Sequence, residues 1–76
     1  MSDVQDAITA AVQARIGIFT VKDIIDDLGW ENDNWARATI FRSLQRMERW
    51  SEVRKLGLRE SNSGRKWREW ISVGEL

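Results

Sequence analysis

Residues 34–50 read NWARATIFRSLQRMERW, and the organisation of the chain turns on this stretch. Advancing about 100° per residue from Ile40 gathers Phe41, Leu44 and Met47 into one apolar stripe, the pattern of a helix with one buried side. The opposite side collects Trp35, Ala38, Thr39, Arg42, Arg46 and Arg49, with Ser43 and Gln45 on its flanks and no acid among them. The stretch predicts a long helix over residues 34–50, capped at Asn34, carrying an arginine-rich surface about four turns long.

Working towards the amino terminus, Gly29 closes a shorter pattern in which Val21, Ile24, Ile25 and Leu28 point one way and Asp23, Asp26 and Asp27 the other. Thr20 followed by Asp23 resembles a helix cap, so a helix is expected over residues 20–28, preceded by a short β-prone piece at Ile18-Phe19-Thr20. Further back, Ser2-Asp3-Val4-Gln5 has the form of a capping box. Val4, Ala7, Ile8, Ala11, Val12 and Ile16 recur at helical spacing, giving a first helix over residues 2–16 that Gly17 ends.

Beyond Trp50 the period changes. Residues 53–59 and 65–73 read as two strands, with Trp67, Ile71 and Val73 on one side of the second and Lys66, Arg68 and Ser72 on the other. Glu60-Ser61-Asn62-Ser63-Gly64 supplies the polar, glycine-ended turn that a hairpin over residues 53–73 needs. The expected fold class is therefore α+β, three helices followed by a two-stranded β-hairpin in a single domain.

Composition narrows the chemistry. The chain has 76 residues, 42% of them hydrophobic, including five Trp, enough for one small core. Cysteine and histidine are both absent. Disulfides, thiolate nucleophiles, the usual zinc ligands and histidine acid–base catalysis are thereby excluded, and an enzyme is not expected. Glu31-Asn32-Asp33-Asn34 offers oxygen ligands but lacks the Gly and final Glu of a calcium loop, so no metal or other cofactor is expected. No apolar run approaches the length of a membrane span and the first residues lack the pattern of a signal peptide, so the expectation is a cytoplasmic protein.

Twelve basic and twelve acidic residues cancel, but they are segregated. Residues 1–33 hold seven acids against two bases, whereas residues 34–76 hold ten bases against five acids. Such polarity orients a protein on a polyanion, unless the two halves spend their charges on each other within the fold.

The segment Ala38-Thr39-Ile40-Phe41-Arg42-Ser43-Leu44-Gln45-Arg46-Met47-Glu48 resembles the Thr-Val-Tyr-Arg-x-Leu-x-x-Leu helix of winged helix-turn-helix repressors of the PadR and ferric-uptake-regulator kind. Residues 64–73, Gly64-Arg65-Lys66-Trp67-Arg68-Glu69-Trp70-Ile71-Ser72-Val73, are similar to the Gly-Arg-rich second strand of their wing. The resemblance spans about residues 19–73. It departs at Ala36, where a small hydroxyl residue is frequent, and at Trp50-Ser51, where a Gly usually links the third helix to the wing. It implies a domain that binds double-stranded DNA with the third helix in the major groove.

On that resemblance Thr39 and Arg42 are candidate base readers, since Arg pairs bidentately with guanine and a Thr methyl packs on the thymine methyl. Arg46 and Arg49 fall where the helix leaves the groove and meets phosphate, with Ser43 at the edge able to do either. Trp35 either lies against sugar and phosphate or packs with Trp30. Arg65, Lys66 and Arg68 are expected to follow the backbone or enter the minor groove. Trp67 reads as core, and Trp70 as a cover for the first helix or part of a dimer contact, although two Trp flanking Arg68 also fit a stacking surface for single strands.

The leading expectation is thus a small transcriptional regulator, acting as a repressor or activator and binding duplex DNA as a homodimer, because one such module buries little surface on DNA. No small-molecule ligand and no membrane partner are expected. The alternative is a winged helix used for protein contacts, docking through the acidic second helix and exposed Trp side chains.

Overall fold

A computed structural model of the chain describes residues 3–75, the side chain of Glu75 excepted. The order of elements is α1 (Asp3–Ala14), β1 (Ile18–Thr20), α2 (Val21–Leu28), α3 (Asn34–Arg49), β2 (Val53–Glu60) and β3 (Lys66–Ser72), ending in a single 3₁₀ turn (Val73–Glu75). Three helices therefore pack with a three-stranded antiparallel sheet, one strand more than the hairpin alone provides. The additional strand is the short β-prone piece at residues 18–20. It pairs with β3 through Ile18↔Ile71, Phe19↔Trp70 and Thr20↔Glu69, giving the order β1-β3-β2.

Local chemistry fixes the helix ends. Thr20 caps α2 reciprocally with Asp23: its hydroxyl accepts from the Asp23 N–H at 3.3 Å, and the Asp23 carboxylate accepts from the Thr20 N–H at 2.9 Å. Gly29, left-handed at φ 70°, closes the same helix where a side chain would be strained. The cap of α3 is Asp33, not Asn34: extended at φ −122°, Asp33 accepts from the Ala36 N–H at 2.8 Å. Asn34 already belongs to the helix, and its side-chain oxygen accepts from Arg37 instead. The proposed capping box of α1 begins at Ser2, outside the described residues.

The first helix ends at Ala14, two residues short of its sequence pattern, because the chain must turn through Gly17 (φ 84°) into β1. Ile16 consequently leaves the stripe and stands 84% exposed. Ile8 and Val12 of α1, Val21, Ile24 and Ile25 of α2, Ala36, Ile40, Leu44 and Met47 of α3, and Phe19, Val53, Trp67 and Trp70 of the sheet form the core. Phe41 is only half-buried, meeting Trp70 edge-on at 5.9 Å between ring centroids.

The hairpin departs from strict alternation. Register slips between Lys55 and Leu58, so that Leu56 and Gly57 together lie opposite Glu69. Such a bulge bends a strand and increases its twist, and both Trp67 and Trp70, three residues apart, are buried. Trp70 is wholly enclosed in the same core as Ile8 and Val12 of α1 and so is no dimer contact, while Ile71 is half-buried and Val73 exposed. No helix among the described residues is long and apolar enough to cross a membrane.

Candidate nucleic-acid interface

The exposed side of α3 is a band of cations. Arg42, Arg46 and Arg49 are exposed together with Ala38, Gln45 and Trp35. None of the three arginines has an ion-pair partner among the described residues; Arg42 makes only a long bond from Nε to its own helix at the Ala38 carbonyl, 3.4 Å. Glu48, the one acid of α3, is half-buried and lies away from this band on the helical wheel.

Two residues assigned to this face from the sequence are placed differently. Ser43 is buried, 4% exposed, and its hydroxyl accepts from Gln5 Nε2 of α1 at 3.0 Å. It lies on the border of the apolar stripe, and α1 covers that border, so Ser43 is withdrawn from any groove-facing role. Thr39 is half-buried with Oγ1 enclosed and unpartnered, which leaves its carbon atoms rather than its hydroxyl for a ligand. Trp35, 56% exposed, packs against Trp30 with ring centroids 5.3 Å apart.

On the hairpin, Arg65 and Lys66 are exposed and have no ion-pair partner among the described residues, with the Arg65 guanidinium 5.5 Å above the Trp67 ring. Arg68 is half-buried and turned inward, donating to the Leu56 carbonyl at 2.7 Å. That carbonyl sits in the bulge, where regular ladder pairing is interrupted. Arg68 thus serves the hairpin's own backbone first, a duty that sequence alternation did not reveal.

The ion pairs decide how the segregated charge is used. Arg15 grips Asp27 with two bonds of 2.6 and 2.8 Å, an interaction that raises the pKa of its guanidinium above the ordinary value. Lys22 meets Asp26 at 2.9 Å, and Arg59 meets Glu69 at 2.8 Å. Every pair lies within its own half of the sequence, and none among the described residues joins the acidic half to the basic one. The two bases of the acidic half thereby compensate two acids of α2, and Asp23 and Asp33 are occupied as caps.

Sequence reasoning missed Arg37. Its guanidinium is held by the Asn32 carbonyl at 3.2 Å, by Asn32 Oδ1 at 2.7 Å and by Asn34 Oδ1. All three acceptors are neutral, so the side chain is fixed while its charge stays uncompensated. Among the described residues no group of three or more potential metal-ligating side chains comes together. No protein-family model matches the chain, and a comparison with curated proteins found none similar to it.

Proposed function

We propose that this chain is a winged helix domain that binds double-stranded DNA, with α3 in the major groove and the β2–β3 hairpin as the wing along the backbone or in the adjacent minor groove. The observation that carries the reading is the unpaired, acid-free band of Arg42, Arg46 and Arg49. Guanidinium groups left without carboxylate partners retain their full attraction for phosphate, and an α-helix of this width fits the major groove. The element order, with β1 paired to β3 beside the hairpin, is compatible with that fold. In this reading Arg42 reads base edges, with Thr39 offering apolar contact only, while Arg46, Arg49, Arg65 and Lys66 position the helix on phosphate.

A domain this small buries too little DNA surface to hold a site alone, so the reading includes two copies on related half-sites and control of transcription by occupancy. Exposed Ile16 and Ile18 offer apolar surface for that pairing. The alternative of protein docking through acidic α2 and exposed Trp side chains has exposed Trp35 and Trp50 in its favour, but Asp23, Asp26 and Asp27 of α2 are already engaged by Thr20, Lys22 and Arg15. The deciding experiment is fluorescence anisotropy of a random-sequence duplex titrated with the wild type and with Arg42→Ala across a salt series. Binding with a steep salt slope, weakened by Arg42→Ala, supports the reading; no binding at low salt overturns it.

A further inference from the structure

Between α3 and the hairpin lies a cleft of about 350 Å³, beside the arginine band rather than on it. Its walls include Arg37 and Phe41 from α3, Leu58 from β2, Arg65 from the turn before β3, and Lys66 and Trp67 from β3, with no acidic side chain among its lining residues. Two features set it apart from the rest of the basic surface. Its arginines are positioned without being neutralised: Arg37 by the oxygens of Asn32 and Asn34, and Arg65 by the Trp67 ring. By contrast, Arg15 and Arg59, which are not among its lining residues, are tied to carboxylates. Pre-set cations facing one space favour an anion there, because the ligand need not order them on arrival.

The second feature is apolar. Phe41 and Trp67 stand in the same cleft as the cations, and Leu58 is 55% exposed on a strand whose outward positions are otherwise mostly charged. Trp67 belongs to the core and Phe41 packs edge-on against Trp70, so these two line the cleft as the outer edge of the core, whereas exposed Leu58 is accounted for neither by core packing nor by phosphate. A ligand with a phosphate at one end and a flat, weakly polar ring at the other satisfies both sets.

We propose that this cleft is a subsite for one unpaired nucleotide of a DNA strand, its phosphate met by Arg37 and Arg65 and its base lying against Leu58 and Phe41. The inference rests on the nucleic-acid reading and deepens it: the favoured ligand becomes a duplex with a short single-stranded flank, not a fully paired one. Every base has a stacking face, so the preference for the flank is largely independent of its sequence.

The test is anisotropy at fixed salt with a blunt duplex and the same duplex bearing a short thymidine tail, each titrated with the wild type and with Leu58→Ser. Leu58 is exposed and Leu58→Ser is expected to fold, which circular dichroism checks. The tail is expected to improve wild-type binding about tenfold. Leu58→Ser is expected to erase that gain while leaving blunt-duplex binding within about twofold. Equal affinity for the two duplexes, or a gain that survives Leu58→Ser, overturns the subsite and leaves duplex binding standing. Failure to bind either duplex removes the parent reading and the subsite together. Thymidine 5′-monophosphate separates the two sources of such a ligand: loss of the tail's advantage at micromolar mononucleotide assigns the cleft to a free nucleotide and overturns the strand-borne form, whereas persistence of the advantage supports it.

Discussion

Gln5 Nε2 donates to the Ser43 hydroxyl across 3.0 Å, joining α1 to the middle of α3. The bond lies on the border between the apolar stripe of α3 and its basic side, and Ser43 is buried there. It separates two neighbouring residues by role. Ser43→Ala removes one interhelical hydrogen bond and is expected to cost about 1 kcal/mol of stability with DNA affinity unchanged. Arg42→Ala, one position earlier, is expected to reverse that result, keeping stability and losing affinity. Urea unfolding and anisotropy on both variants check the pair; loss of affinity in a fully folded Ser43→Ala would return that hydroxyl to the interface.

Ser51 adopts φ 62°, the left-handed conformation that glycine ordinarily supplies after a helix. Its N–H donates to the Glu48 carbonyl at 3.0 Å, and the next N–H, of Glu52, to Met47 at 2.8 Å, which closes α3 and starts the turn into β2. A side chain in this region is strained by about 1 kcal/mol. Ser51→Gly is therefore expected to raise stability by about 0.5 to 1 kcal/mol, and Ser51→Val to lower it by at least as much, both read from urea midpoints at unchanged slope.

Asp33 and Asn34 stand side by side at the start of α3 with divided duties, the first capping the helix and the second holding Arg37. Asp33→Ala is expected to cost about 1 kcal/mol. Asn34→Ala is expected to cost less in stability and to loosen Arg37, which has a second anchor in Asn32. Thermal melts of the two variants rank them; a larger loss for Asn34→Ala would reverse the assignment of the cap.

What could be read from the sequence was mainly local. The stripe of Ile40, Leu44 and Met47 and the basic band opposite it are both set by one helical period, so the residues alone defined them. The paired cap of Thr20 and Asp23 and the closing glycine of α2 are likewise short-range chemistry. Pairing of Phe19 with Trp70 spans most of the chain, and only the folded sheet shows that residues 18–20 form its third strand. Trp67 and Trp70, three residues apart, are both buried, and Trp70 pairs with buried Phe19 of β1, which a pattern of period two within β3 cannot express. Within the candidate site, Arg42, Arg46 and Arg49 were legible as a set, whereas Ser43 and Arg37 were not. Helical position puts both near the stripe, and α1 and the hairpin, packed on opposite flanks of α3, determine which is covered and which faces a cleft.

The separation of charge from folding gives the last expectation. Arg42 and Arg46 are four residues apart on one helix and Arg49 is three further on, so like charges adjoin along the band without an acid between them. Each such neighbour pair costs an isolated helix about 0.2 to 0.5 kcal/mol, and no carboxylate among the described residues pairs with these arginines to offset it. Arg46 and Arg49, in the last turn, gain from the helix dipole, whereas Arg42 is too far from that end to gain. Replacing Arg42 and Arg46 together by Gln relieves like-charge repulsion and loses the dipole gain of Arg46, two effects of similar size and opposite sign, and should therefore leave the urea midpoint nearly unchanged. The same change removes two cations from the presented face, and the slope of log affinity against log salt should become shallower by about 2 if both meet phosphate. A base-reading Arg42 would lower the slope by less and instead flatten the difference between preferred and random sequences. A falling midpoint would mean that the arginines support the fold and would withdraw the argument that they are held for a ligand.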